Sequence, residues 1–176
     1  PDGLGYTQFR ERIKNRIDER NIILHIERKP GEKMYIDWAG DTMPIYNPNT
    51  GEVSKAYFFV TCIGVSSIVF IKAYSNTKLE SYIDGTVSAL HYYKAAPLFF
   101  VPDNDRSAVT RACKYDPTIN QTFQDMAAYY GITVFPARVV RPKDKGSVEK
   151  AVLDGAERNI INKFRNFKFF SIDELN

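Results

Sequence analysis

A chain of 176 residues, 44% hydrophobic and 26% charged, has room for one domain with a sizeable core and the composition of an ordinary globular protein. Its formal charge of +3 permits contact with nucleic acid without demanding it. The longest apolar run, 56–71, is broken by Thr61, Gly64, Ser66 and Ser67, which excludes a membrane span there and fits two buried strands.

Cys62 and Cys113 lie too far apart for a metal or redox motif, and no signal peptide precedes them. They suggest buried thiols in a reduced, cytoplasmic protein. The start at Pro1 and the helix-like end at Ser171–Asn176 suggest a piece of a longer chain.

Residues 7–29 are polar and basic, with Phe9, Ile13 and Ile17 at helical spacing. Arg10, Arg12, Lys14, Arg16 and Arg20 fall on the other side, as a solvated face or a DNA-backbone contact. Pro30-Gly31 breaks the chain, so 1–29 is expected to be a helical linker and 30–176 the main domain.

From Gly31 to Tyr46 the pattern is that of a long strand at the centre of a sheet. Alternation places Met34, Ile36 and Trp38 on one face and Tyr35, Asp37 and Ala39 on the other. Asp37 interrupts an apolar run in a structure that disfavours Asp, and a buried carboxylate needs a partner or a metal. The alternative is a solvent-facing Asp, and two later stretches decide between them.

Asn47–Glu52 has turn chemistry, so a hairpin leads to a strand at 56–64. A third strand follows at 68–74. Thr77 is the expected cap of a helix over 78–94, with Leu79, Ile83, Val87 and Leu90 on its core face. His91 has no second His within motif reach and is expected to be a packed or solvated helix residue.

Leu98–Val101 suits a buried parallel strand, and Asp103 follows at its carboxyl end, where open α/β sheets place ligands. Asp116-Pro117 suggests the start of a helix with Ile119, Phe123, Met126, Ala127 and Tyr130 inward and Gly131 closing it. A short strand at 132–135, a basic loop at 136–146 and a helix from about Ser147 to Phe164 complete the pattern.

Three antiparallel strands followed by alternating helices and strands imply an α/β fold with a mixed five-stranded sheet flanked by helices. This is the element order of the RNase H-like fold. It puts acidic residues in the first strand, after the fourth and on the last helix, where Asp37, Asp103 and Glu149 stand.

Ile36–Gly40, Val101–Val109 and Arg141–Glu149 resemble the signature blocks of DDE transposases and retroviral-type integrases, and are most similar to IstA-like transposases. Glu149 lies 46 residues after Asp103, a longer interval than is usual in retroviral integrases, which favours the transposase branch. Asp105 stands where integrases commonly have Gly. The resemblance implies metal-dependent DNA cleavage and strand transfer. It implies two Mg²⁺ ions, replaceable by Mn²⁺, with Asp37 bridging both, Asp103 on one and Glu149 on the other. It also implies DNA, other copies of the full-length protein and an ATPase helper as partners.

Asn104 is expected to orient Asp103 or touch the scissile phosphate, and Arg141, Lys143, Lys145 and Lys150 to contact the DNA backbone. Asp41, Asp105 and Asp144 are expected to be structural or supporting. The rival readings are an RNase H-like nuclease that cuts without joining, and a non-catalytic DNA-binding or assembly domain.

Overall fold

The computed structural model describes residues 5–19, 29–64, 66, 68–103, 109–111, 118–136, 153, 155, 158–160 and 162–176. Its elements are α1 (Tyr6–Glu19), β1 (Lys33–Tyr46), β2 (Val53–Ile63), β3 (Val69–Tyr74), α2 (Leu79–Tyr93), β4 (Phe99–Pro102), β5 (Val109–Arg111), β6 (Thr118–Ile119), α3 (Gln121–Tyr129) and β7 (Thr133–Val134). Helical residues between 153 and 164 (α4) and a short helix, α5 (Ile172–Leu175), end the chain.

The main sheet has the order β3-β2-β1-β4-β7, so β1 is its central strand. β1 and β2 pair antiparallel across the turn at 47–52, where Asn47 N–H donates to the Glu52 carbonyl at 2.9 Å. β3 extends the meander, and β4 and β7 run parallel to β1. This is the mixed five-stranded sheet expected. The expectation omitted a small second ribbon, β5–β6, whose strands of three and two residues are too short to leave a periodic signal.

Alternation along β1 divides the core in two. Met34, Ile36 and Trp38 join Phe59, Tyr82, Phe100 and Phe123 beneath α2 and α3. Tyr35, Met43 and Ile45 join Phe58, Val60, Val101, Leu153 and Phe169 on the other face, beneath α4 and α5. A bulge between Trp38 and Thr42 sets four steps of β1 against two of β2 (Phe59 to Tyr57). The two extra residues leave the alternation in phase, so Met43 and Ile45 stay on the face of Tyr35; a single extra residue would have reversed it.

Several local expectations are corrected. The N-cap of α2 is Lys78, without a side-chain cap bond, rather than Thr77; Asn76 Oδ1 instead accepts from Lys78 N–H at 2.9 Å and from Ser81 Oγ at 3.0 Å. The buried face of α2 runs through Tyr82, Gly85, Thr86, Ala89 and Leu90, with Leu79 and Ile83 at its margin. Small residues set this face because the helix lies hard against the sheet. A Cβ on Gly85 would meet the Phe59 ring at 2.6 Å.

α3 begins at Asn120, whose side chain accepts from Thr122 N–H at 3.0 Å, and not at Asp116-Pro117. A nearby Asx cap took precedence over the Pro signal. Its inward face is as expected, and Gly131 adopts φ +69° just past its end. In α1, Phe9 and Ile13 are 52% and 43% exposed, so its apolar stripe is not buried against the sheet. Cys62 and His91 are as expected, buried and exposed respectively; Cys113 lies outside the described residues. No helix of the described residues is long and apolar enough to cross a membrane.

Candidate active site

β4 pairs with β1 in constant register, from Lys33 opposite Phe99 to Ile36 opposite Pro102. Asp103 N–H adds one more rung, donating to the Ile36 carbonyl at 3.0 Å. The next pair in this register is Asp37 and Asp103. Neighbouring parallel strands lie about 4.8 Å apart, and residues in register present their side chains to the same face. Tyr35 and Val101, each two residues earlier, both lie in the α4–α5 core. Alternation therefore puts both carboxylates on that face, at the carboxyl edge of the β1–β4 pair.

Local chemistry limits the pairing on the β7 side. Pro102 has no N–H, so the donor that would have faced β7 is missing. The Trp38 amide donates to Asp37 Oδ1 at 3.0 Å, which fixes the carboxylate against its own strand. The bulge begins immediately after Trp38, and bulges bend strands and re-aim side chains. Asp37 and Asp103 are both half-buried, a position open to solvent ligands yet sheltered on one side.

The Trp38 ring anchors the strand from the opposite face. It lies edge-on to Phe59 at 5.3 Å and to Tyr74 at 5.9 Å, with Tyr82 at 6.4 Å. This aromatic support of the Asp37 backbone was not foreseen, although the Asp-Trp pair in alternation was the available signal.

Asp41 is exposed within the bulge. Glu149, Asn104, Asp105, Arg141, Lys143, Asp144, Lys145 and Lys150 lie outside the described residues. Among the described residues no three His, Cys, Asp or Glu side chains form a group able to hold a metal ion. The described part of α4 places Leu153, Ile160 and Phe164 on the face that carries Asp37.

A second polar cluster joins β3 to α2 away from this edge. Lys72 Nζ donates to Asp84 Oδ2 at 2.8 Å and to Ser88 Oγ at 3.0 Å, and Tyr74 Oη donates to the same carboxylate oxygen. Burial alone would raise the Asp84 pKa, but the hydrogen bonds from Lys72 and Tyr74 outweigh it and hold the carboxyl below its ordinary value. The cluster is an exposed strand-to-helix clasp.

No family model matches the chain. It is 38% identical over 176 residues to "Putative transposase y4bL/y4kJ/y4tB" of Sinorhizobium fredii, covering 100% of this chain and 34% of that protein. It is 32% identical over 171 residues to "Putative transposase for insertion sequence IS408" of Burkholderia multivorans, covering 97% of this chain and 33% of that one. The chain thus spans about a third of the length of these relatives.

Its fold matches the HTLV-2 integrase catalytic core domain, solved in complex with magnesium, with a TM-score of 0.52 at 17% identity. That match covers 83% of this chain and 81% of that one. The domain therefore shares the fold of that catalytic core. By sequence it is a homologue of bacterial insertion-sequence transposases.

Proposed function

We propose that this domain is the catalytic core of a DNA transposase, and that it cuts and joins DNA strands by metal-dependent phosphodiester transfer. The observation that carries the reading is the in-register pair Asp37–Asp103 at the carboxyl edge of β1 and β4. Two carboxylates on neighbouring strands, which lie about 4.8 Å apart, repel each other when ionised and suit a hard cation with oxygen ligands. The kinship with transposases and the magnesium complex of the fold relative support the same chemistry.

Glu149 is the third member of the proposed set. It enters on the resemblance of Arg141–Glu149 to a signature block of DDE transposases. Asp37, Asp103 and Glu149 would together hold two Mg²⁺ ions. Bound there, the ions supply Lewis-acid activation of the attacking oxygen and stabilisation of the leaving oxygen.

The chain's own residues do the rest. The Trp38 amide orients the Asp37 carboxylate, and the Asp103 N–H bond to the Ile36 carbonyl holds Asp103 in register beside it. Asn104 would steady Asp103 or the scissile phosphate. Arg141, Lys143, Lys145 and Lys150 would hold the backbone of the DNA. We also propose the domain boundary near residue 30, with 1–29 a linker. The full-length protein would act as an oligomer on transposon ends and target DNA, with an ATPase helper, in the cytoplasm.

The test is an assay of the full-length transposase on oligonucleotides carrying its transposon ends, with Mg²⁺ or Mn²⁺. The expected result is strand cleavage and joining, both abolished by Asp37→Asn, Asp103→Asn and Glu149→Gln. Cleavage without joining would select the nuclease reading. No metal-dependent reaction from folded protein would select a non-catalytic assembly domain.

A further inference from the structure

The stretch Lys163-Phe-Arg-Asn-Phe-Lys-Phe-Phe170 alternates cations with aromatics and contains no acid. It ends α4 and crosses to the β1–β2 hairpin, where Tyr46 N–H donates to the Phe169 carbonyl at 2.9 Å and Phe169 bridges Ile45. Phe169 is buried and Phe164 half-buried, 5.5 Å apart and edge-on, and they anchor the stretch to the sheet. Phe167 and Phe170 are 62% and 50% exposed, although the Phe167 ring also meets Phe164 at 6.0 Å and Phe169 at 6.5 Å. Lys163, Arg165 and Lys168 are exposed among them, and Lys168 reaches over the Tyr46 ring at 5.8 Å.

Packing explains Phe164, Phe169 and the covered part of Phe167, but not the exposed area that Phe167 and Phe170 present between cations. Charge decides what would cover them. Three cations against a second copy of the same surface would repel, whereas an anionic strand neutralises them. Of the nearby acids, Glu174 already accepts from Phe170 N–H at 2.7 Å, and Asp173 remains exposed. The stretch also lies on the sheet face that carries Asp37. From Asp37 to Ile45 the hairpin covers roughly 20 Å once the bulge is allowed for.

We propose that residues 163–170 form a binding track for unpaired DNA, in which Phe167 and Phe170 stack on bases while Lys163, Arg165 and Lys168 hold the phosphates. This rests on the reading of the domain as DNA-acting and adds a place for a frayed or single-stranded segment leaving the active-site edge. Exposed aromatics can stack on bases only where these are unpaired, and such stacking tolerates any sequence. The cations would add a salt-dependent term common to single strands and duplex.

Fluorescence anisotropy of the 176-residue chain with labelled oligo(dT), and with a duplex of equal length, tests this in EDTA at several salt concentrations. The Phe167→Ala/Phe170→Ala double variant should bind oligo(dT) about 10-fold or more weakly, with duplex affinity nearly unchanged. Phe167→Tyr/Phe170→Tyr should bind as the wild type does. Lys163→Ala/Arg165→Ala/Lys168→Ala should weaken both ligands and flatten the oligo(dT) salt slope by about 2.

Unchanged oligo(dT) affinity in the folded Ala variant would overturn the proposal, as would equal losses on both ligands. Dissociation of a wild-type dimer by that variant, with DNA affinity intact, would assign the surface to self-association instead. No cleavage is measured, so an inactive Asp37 site would leave this result standing.

Discussion

Beneath α2 and α3 the sheet presents Trp38, Phe59, Tyr74, Tyr82 and Phe123, most of them edge-on to a neighbour at 5–6 Å. Beneath α4 and α5 the same central strand presents Tyr35, Asp37 and Ala39, and the covering elements meet the sheet through Leu153, Phe164 and Phe169. The first face is filled by large rings and shaped by a glycine. The second leaves room at one edge for two carboxylates. A single strand serves both, because alternation separates the two faces by one residue: Trp38 anchors the strand, and Asp37 is the proposed metal ligand. Stability should therefore be concentrated on the first face and chemistry on the second.

The comparison breaks most visibly at Phe59, which is fully buried between Trp38 and Tyr82. Phe59→Ala should lower unfolding free energy by about 3–5 kcal/mol, measured by urea denaturation. A loss under 1 kcal/mol would mean that this face is not the main store of stability. Gly85→Ala comes next. Helix propensity favours Ala by about 1 kcal/mol, but a Cβ at 2.6 Å from the Phe59 ring cannot be accommodated without a shift. A net loss of about 1–3 kcal/mol is expected by thermal unfolding, and a gain would show that the helix can retreat.

Tyr93 sharpens the comparison at the end of α2. Its hydroxyl lies within hydrogen-bond distance of the carbonyls of Thr61 at 3.1 Å and Ile68 at 3.2 Å, which share its one proton, and of Thr61 Oγ1 at 3.0 Å. Burial pushes its pKa up to about 12. A raised folded value means that the contribution is whole below the unfolded value near 10 and is lost as pH rises toward 12. Tyr93→Phe should cost about 1 kcal/mol at pH 7. It should also lack that alkaline loss when unfolding is followed from pH 9 to pH 12.

The smallest effect belongs to the exposed clasp. Asp84 is held below its ordinary value, so its contribution is present above the unfolded pKa near 4 and lost as pH falls through the lower folded value. With the carboxylate 58% exposed, solvent screening limits it to a few tenths of a kcal/mol. Asp84→Asn should be slightly less stable than the wild type at pH 7 and indistinguishable from it near pH 2.

Much of this division was legible in the sequence because β1 alternates strictly. Met34, Ile36 and Trp38 could be assigned to one side and Asp37 to the other before any coordinates. Asp103 was legible because a short apolar run ended at Pro102. The α2 face was read in part: Leu79, Ile83 and Leu90 pack against the core as expected, but following Leu, Ile and Val missed Gly85 and Ala89, which set the close helix–sheet approach. The start of α3 was misjudged because Asp116-Pro117 and Asn120 offer competing caps, and the chain uses the second. The bulge could not be read at all: its two extra residues leave the alternation in phase, so the pattern carries no trace of it. The role of residues 163–170 was hidden because a helix-end reading does not say which Phe turns outward.

The central claim is that Asp37 and Asp103 hold divalent metal for phosphodiester transfer. Its most direct test is anomalous diffraction from crystals of the protein bound to DNA and soaked in Mn²⁺. The account predicts a manganese peak between the carboxylates of Asp37 and Asp103, lost in Asp37→Asn. Manganese bound elsewhere, with none at this pair, would contradict it.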